Sequence, residues 1–189
     1  EALRIEIALL PPLIEPTDVI GQLSDPTAAL LNLPAGLPVV AGGGDGFLAT
    51  LGSGCEAPDR TAITVGTTAS VRRFSPVPSI GDRRGTYCYR YASNSFLVGA
   101  ASNNGGNVLD WARRELGVTS FEANPAAEEL PLFLPHLHGE RSPFWTSTKE
   151  ARWILPACGA TIDGLGRSVV EGVAFQLGIY YERVTEVMG

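Results

Sequence analysis

The chain has 189 residues, and its 14 Lys and Arg stand against 20 Asp and Glu, which gives a net charge of −6. This acidic balance argues against a nucleic-acid or anionic-membrane binder, because either function needs a basic face. A hydrophobic fraction of 44% suffices for a packed core and excludes a disordered chain. No apolar run reaches the roughly 18 residues of a membrane span. The cysteines Cys55, Cys88 and Cys158 form no Cys-x-x-Cys pair, which predicts free thiols in a reducing compartment, the cytoplasm.

Short elements are predicted in the first part of the chain. A helix follows Asp25, which is interpreted as its N-cap, with Pro26 at the first helical position. Residues 38–41 predict a buried strand that leads into three glycines. Residues 46–51 predict a second helix, and its first turn carries Asp45.

After this helix, residues 52–60 are the best candidate for an interdomain boundary. The turn at residues 103–106 precedes an amphipathic helix that is predicted to stop at Gly117. A long helix is predicted from residue 163 to about residue 187, because apolar residues recur there at steps of three or four. Strands interleaved with these helices indicate an α/β or α+β architecture. The predicted extended segments are residues 19–20, 62–65, 70–74, 87–91, 96–100 and 132–134.

The sharpest local feature is the run Gly42-Gly43-Gly44-Asp45-Gly46. Glycines let a ligand approach the backbone closely, and they deliver one carboxylate to the start of a helix. Two interpretations stay open. Asp45 is either a simple N-cap after a tight turn, or a general base at the mouth of a cleft.

Two further turns have the composition of anion sites. The turn Gly66-Thr67-Thr68 offers backbone N–H groups and two hydroxyls without a cation, although threonines are also common in ordinary strands. Gly105 and Gly106 open a helix and expose its positive dipole end, although capping alone also explains glycine there.

The remaining polar residues carry weaker signals. His136 and His138 form a His-x-His pair without an evident third ligand, so no metal site is predicted. Glu140 and Arg141 are interpreted as a structural ion pair or as solvated loop charges. The arginine pairs are interpreted as surface residues, and Trp111 and Trp153 as core; the pairs are Arg72-Arg73, Arg83-Arg84 and Arg113-Arg114.

Two common nucleotide motifs are missing from the sequence. Lys149 is the single lysine and follows Thr148, so no Gly-Lys-Ser/Thr phosphate loop exists. Gly42 and Gly44 are followed by Phe47 where a dinucleotide-binding loop needs its third glycine. A phosphate would therefore have to be bound by another arrangement.

Taken in order, the motifs resemble the middle of an FGGY carbohydrate kinase, most closely the gluconokinases and xylulokinases. The resemblance covers nearly the whole chain. The motifs that carry it are Pro38-Val-Val-Ala-Gly-Gly-Gly-Asp-Gly46, Ala62-Ile-Thr-Val-Gly-Thr-Thr68, Asn103-Asn-Gly-Gly-Asn-Val-Leu-Asp-Trp111, Leu134-Pro135 with Gly139-Glu-Arg-Ser-Pro143, and Glu171-Gly-Val-Ala-Phe175. It implies the actin-like, ribonuclease-H-like ATPase fold, here in part. Residues 1–58 correspond to the end of the sugar-binding domain, and residues 59–189 to the front half of the ATP-binding domain.

The resemblance also implies a reaction and its residues. The family phosphorylates a sugar or sugar acid with ATP and Mg²⁺, and Asp45 matches the aspartate that takes the proton from the sugar hydroxyl. The implied sugar-binding residues are Gly44, Asp45 and Gly46. The implied ATP-binding residues are Gly66, Thr67, Thr68, Gly105, Gly106 and Asp110.

This sequence departs from the family pattern in ways that matter for activity. It has no counterpart of the first phosphate loop, Asp-x-Gly-Thr, which supports Mg²⁺, or of the C-terminal Gly-Gly segment that cradles adenosine. We therefore expect a partial chain without sugar-kinase activity of its own, with apolar surfaces left open to self-association. The alternative is a non-catalytic remnant that binds a nucleotide or a partner protein.

Overall fold

The computed structural model describes residues 6–81, 85–122, 130–154 and 161–189. Every strand pair in these residues is antiparallel, and short turns at residues 66–68 and 93–94 join two of the pairs. The helices are α1 (Asp25–Leu31), α2 (Asp45–Gly52), α3 (Gly106–Glu115) and α4 (Ile162–Met188), and a 3-10 turn covers Ile7–Leu9. The strands are β1 (Val19–Gln22), β2 (Pro38–Val40), β3 (Thr61–Val65), β4 (Ala69–Ser75), β5 (Tyr87–Ala92), β6 (Ser95–Ser102), β7 (Leu132–Leu134) and β8 (Arg152–Ile154).

A four-stranded sheet with the order β3-β4-β6-β5 organises the molecule. Successive side chains on a strand point to opposite faces, so neighbouring residues on a strand pack against different elements. On one face Val71, Val98 and Ala100 pack with Tyr180 and Val184 of α4, and all five are 0–1% exposed. The opposite face lies toward α2.

The long helix α4 also covers a second apolar cluster. Its residues Val169 and Val173 pack with Val108 and Ala112 of α3 and with Phe133 of β7. The ring of Phe133 stacks between those of Trp111 and Trp153, with centroids at 5.7 and 4.4 Å. Both tryptophans are partly buried against this cluster, as predicted for core residues.

Helix α2 is held against the sheet by aromatic contacts. The ring of Phe47 lies 5.4 Å from that of Tyr91 and 6.4 Å from that of Tyr89. A Cβ added at Gly43 would lie 3.3 Å from the Tyr91 ring, so a glycine suits this close approach. These contacts fix the start of α2 above one face of the sheet.

The predicted helices and most predicted strands are confirmed, including the helix stop at Gly117, whose φ is +71°. Two details are wrong. The N-cap of α1 is Ser24, because Asp25 already lies in the helix. The strand at Pro38–Val40 is exposed rather than buried, because β2 pairs only with β1 and Val40 stays 52% exposed.

The remaining comparisons with the sequence predictions concern one further strand, the cysteines, the domain boundary and membrane-spanning helices. Strand β8 is an element that the sequence pattern did not predict. Cys55 and Cys88 are free thiols, whereas Cys158 and the pair Arg83-Arg84 lie outside the described residues. The domain boundary between residues 58 and 59 stays a prediction. Within the described part of the chain, no helix is both long and apolar enough to cross a membrane.

Candidate functional site

Asp45 and Thr68 line the same cavity, which lies between the start of α2 and one face of the four-stranded sheet and has a volume of about 250 Å³. The alternation of side chains along a strand explains which sheet residues reach the cavity. Thr68, Ser70 and Arg72 alternate with the residues that pack on α4. The lining residues are Gly44, Asp45, Gly46, Phe47, Thr68, Ala69, Ser70, Arg72, Tyr87, Tyr89, Leu97, Ala101, Arg141 and Trp145.

The glycine run brings the carboxylate of Asp45 to this cavity. Gly42 takes a φ of +71°, which L-residues rarely adopt, so the chain turns sharply after β2. Gly44 is the N-cap of α2, and Asp45 is the first residue of the helix. Its Oδ1 accepts a hydrogen bond of 2.7 Å from the N–H of Gly46, while the residue stays exposed. The carboxylate is thus oriented by the helix start and open to a ligand.

The turn at Gly66–Thr68 rests directly on the start of α3. The N–H of Gly106 donates to the carbonyl of Gly66 at 2.6 Å, and that of Asn107 donates to the carbonyl of Thr67 at 3.3 Å. A Cβ at Gly105 would lie 2.6 Å from the carbonyl carbon of Thr68, and one at Gly106 would lie 2.8 Å from the oxygen of Gly66. Only glycine leaves room for this contact, and Thr67 and Thr68 remain exposed.

Asn104 ties the start of α3 to the loop that precedes Arg141. Its side chain is fully buried, donates to the carbonyl of Gly139 at 2.8 Å and accepts from the N–H of His138 at 3.1 Å. Buried amides need such partners, since an unpaired one would cost about 1–3 kcal/mol. The start of α3 is therefore held by this loop as well as by the Gly66–Thr68 turn.

Glu140 forms the centre of a buried polar cluster behind this turn. The residue is 2% exposed, and its Oε2 accepts hydrogen bonds from Ser102 at 3.1 Å and Asn104 at 3.3 Å and contacts the amide of Gln176. Burial raises the pKa of the carboxyl, but hydrogen bonds from His136, Tyr180, the Arg141 N–H and Ser102 outweigh it, so the pKa lies below its ordinary value. The prediction of a solvated charge or an Arg141 ion pair is wrong, because Glu140 is buried and its partners come from three segments, at residues 102–104, at residues 136–141 and in α4.

Burial also acts on two tyrosines near the site. It raises the pKa of Tyr180, and the neighbouring charge of Glu140 acts in the same direction. It likewise raises the pKa of Tyr87, against the opposing influence of Arg72 and Arg141. Both phenols therefore stay protonated and serve as neutral hydrogen-bonding groups around neutral pH.

The sequence analysis missed Arg72 and Arg141 as cavity residues. Arg72 was interpreted as a surface residue, yet its guanidinium lies about 3.4 Å from the Cβ position of Gly46. Arg141 donates to the carbonyl of Ser102 at 3.1 Å, and its Nε is buried without a partner among the described residues. The alternation along β4 was a usable signal, since it places Arg72 on the face of Thr68 and Ser70.

Most predicted site residues come together, and one does not. Gly44, Asp45, Gly46 and Thr68 line the cavity, and Gly66, Thr67, Gly105 and Gly106 form the adjoining contact between the turn and α3. Asp110 lies one turn further along α3, exposed, with its Oδ1 3.2 Å from the Arg113 guanidinium. His136 points to Glu140 at 3.2 Å, and no group of three metal-ligating side chains occurs in the described ranges.

Proteins similar to this chain include sugar kinases, although no family model matches the chain. The gluconokinase of Bacillus licheniformis is 27% identical over 93% of this chain and 38% of its own length. The xylulose kinase of Klebsiella pneumoniae is 32% identical over 89% of this chain and 36% of its own. The ligand-bound xylulose kinase of Lactobacillus acidophilus superposes with a TM-score of 0.82, at 28% identity, over 94% of this chain and 38% of that one.

The structural likenesses show that this chain has part of the actin-like ATPase fold of these kinases. The chain is a homologue of gluconokinases and xylulose kinases, which are carbohydrate kinases of the FGGY type. It spans about 38% of the length of the first relatives that it matches.

Proposed function

We propose that this chain carries the catalytic base and part of the ATP site of an enzyme that phosphorylates a hydroxyl of a sugar or sugar acid with ATP and Mg²⁺. The observation that supports the proposal most directly is the shared cavity of Asp45 and Thr68. A phosphoryl group held at the turn would face a carboxylate held at the start of α2. The relatives named above act on gluconate and xylulose, which favours substrates of this kind.

The proposed mechanism assigns a task to each element. The sugar hydroxyl lies against Asp45, which orients it and accepts its proton as the phosphoryl group is transferred. The exposed Thr67 and Thr68 hold ATP phosphates through backbone N–H groups and hydroxyls, and the start of α3 at Gly105–Gly106 supports the turn, since Gly106 and Asn107 donate to the carbonyls of Gly66 and Thr67. Asp110 is exposed at the next turn of α3 and is proposed to contact the nucleotide. Mg²⁺ would neutralise charge on the phosphates when bound.

Nucleotide binding and turnover should separate in this chain. Phosphoryl transfer depends on positioning and on charge stabilisation from all sides of the phosphates, and the sequence has no Asp-x-Gly-Thr loop. We therefore expect calorimetry to detect ATP binding, while a coupled ADP assay with gluconate or xylulose detects no turnover.

Asp45→Asn is the informative variant for this proposal. It should leave ATP binding unchanged, because the carboxylate contacts the sugar rather than the nucleotide. If the chain does turn over and Asp45→Asn abolishes turnover, the base is supported and the expected inactivity is refuted. A chain that binds no ATP would contradict the proposal.

The second candidate is a binding module without turnover. It is favoured by the Gly66–Thr68 turn, which rests on the start of α3 and leaves Thr67 and Thr68 exposed without any contribution from Asp45. Calorimetry with the sugar separates the two, because the kinase proposal places the sugar hydroxyl at Asp45: the chain should then bind gluconate or xylulose and Asp45→Asn should weaken that binding, whereas a nucleotide-binding module should bind ATP alone. Turnover in any preparation of this chain would eliminate it.

A further inference from the structure

The loop between β7 and β8 holds one residue in a strained backbone conformation. Trp145 has a φ of +51°, a left-handed conformation that a bulky residue rarely adopts. Asn32 is the other residue besides glycine with a positive φ in the described part of the chain, and it caps the end of α1, where this conformation is common. Such strain persists only where the surroundings enforce it, and it clusters at ligand sites. Trp145 therefore requires an explanation that helix capping does not supply.

Hydrogen bonds on both sides of Trp145 enforce its conformation. Glu140 and Thr146 exchange two backbone hydrogen bonds, of 2.7 and 2.8 Å, which close the loop around it. Ser142 fastens the loop to β6, because its N–H donates to the carbonyl of Ala101 at 2.9 Å and its hydroxyl accepts from the N–H of Ala101 at 3.1 Å. The loop is thus a support for Trp145 that is tied to the four-stranded sheet.

The side chain of Trp145 lines the cavity that Asp45 and Thr68 share, and the residue is 49% exposed. A half-exposed indole on a well-supported loop offers a large, flat, apolar surface and loses little conformational entropy when a ligand covers it. The adjacent Phe144 is similarly exposed, at 48%, but it lines a separate cavity between the loop and α4. The loop therefore presents neighbouring rings to different cavities, and only the Trp145 ring shares a cavity with Asp45.

We propose that the indole of Trp145 binds the C–H face of the sugar whose hydroxyl lies against Asp45, which makes Trp145 a substrate-binding residue of this site. The face of an aromatic ring is electron-rich, and the C–H groups of a sugar are its weakly positive, apolar part, so the two surfaces suit each other. The cavity of about 250 Å³ is small, so a sugar held at Asp45 lies close to the indole. The inference rests on the proposed function, since it assigns a contact to the substrate of that reaction.

Calorimetry on the whole chain with gluconate, xylulose and glycerol tests the proposal. Trp145→Asn removes the ring and tolerates the left-handed φ, so it should weaken the better bound of gluconate and xylulose at least tenfold. Glycerol should lose less affinity, because three carbons cover less of the ring. Trp145→Phe keeps an aromatic face and should retain most of the affinity. Phe144→Asn is the matched control, since it removes a similarly exposed ring from the adjacent position, and it should leave all three affinities unchanged.

Tryptophan fluorescence supplies a signal that a purely structural role would not produce. Trp111 and Trp153 are partly buried against the cluster between α3 and α4, so Trp145 is the most exposed of the three tryptophans. Bound sugar should protect the chain from quenching by acrylamide, and Trp145→Phe should abolish this protection. Protection by ATP alone, without an effect of the sugar, would assign the ring to the nucleotide and overturn the proposal.

The outcomes separate this inference from the proposed function. If a sugar binds and Asp45→Asn weakens its binding, unchanged affinity in Trp145→Asn refutes the inference alone. An equal loss in Phe144→Asn also refutes it, because the effect would then belong to the loop as a whole. If neither gluconate nor xylulose binds at millimolar concentration, the inference and the proposed sugar site fail together. Circular dichroism and urea unfolding confirm that each variant folds like the wild type.

Discussion

Substituting Gly105 by alanine tests the contact between the Gly66–Thr68 turn and α3. The added Cβ would lie 2.6 Å from the carbonyl carbon of Thr68, so the turn must retreat by about 0.8 Å to reach an ordinary 3.4 Å contact. Because that atom belongs to the backbone, the shift weakens the 2.6 Å hydrogen bond between Gly106 and Gly66. We expect Gly105→Ala to lower the free energy of unfolding by about 1–3 kcal/mol. ATP affinity should fall by about 10- to 100-fold, the loss of one or two phosphate hydrogen bonds.

Urea unfolding and calorimetry with ATP measure the two effects. Gly178→Ala is the matched control, because Gly178 lies within α4 and nothing lies within 4 Å of its Cβ position. This control should be neutral or stabilising by up to about 1 kcal/mol, since alanine is the better helix former. If Gly105→Ala unfolds at the wild-type urea midpoint, the steric reasoning is refuted. If it binds ATP like the wild type, the turn is not the phosphate site.

Three further predictions concern the core, the buried carboxylate and the exposed surface. Val98→Ala should cost about 2 kcal/mol in urea unfolding because Val98 is fully buried, whereas Val77→Ala, at a 59% exposed position, should cost almost nothing; equal losses would contradict this packing. Glu140→Gln should cost about 2–3 kcal/mol at pH 7. Because folding lowers the pKa of Glu140, its contribution is present above about pH 4.5 and is lost as pH falls through the folded-state pKa, so the difference from wild type should shrink at pH 3; an equal difference at both pH values would be inconsistent with this assignment. Phe175 and Ile179 are 57% and 47% exposed on α4, so the chain should self-associate in sedimentation velocity and the Phe175→Ser/Ile179→Ser variant should not; a wild-type chain that is monomeric at all concentrations would disprove this.

Local signals in the sequence predicted the elements well. The recurrence of apolar residues over three or four positions predicted α4 nearly to its ends, and Gly117 ended α3 where its left-handed φ was needed. These features depend on a residue and its near neighbours. The exposure of β2 did not follow from the sequence, because the burial of Val39 and Val40 depends on what packs over the strand.

The site required information from distant parts of the chain. The roles proposed for Asp45 and for the ATP residues rest on the order of the motifs, since each glycine turn by itself has an ordinary structural explanation. The burial of Glu140 could not be predicted from its loop, because Ser102, Asn104 and Gln176 approach it from other elements. Arg72 was within reach of sequence reasoning, because the alternation of β4 relates it to Thr68.

The two faces of β4 allow the chain to change its ligand and its stability separately. Ser70 and Arg72 line the cavity, whereas Val71 between them packs on α4. Substitutions at Ser70 and Arg72 can alter which ligand is recognised while the hydrophobic core keeps its shape. An insertion of a single residue in this strand would instead exchange the residues that line the cavity with those that pack on α4. Ligand recognition and stability would then be lost together. Relatives with other substrates should therefore differ by point replacements along β4, and its length should stay constant among them.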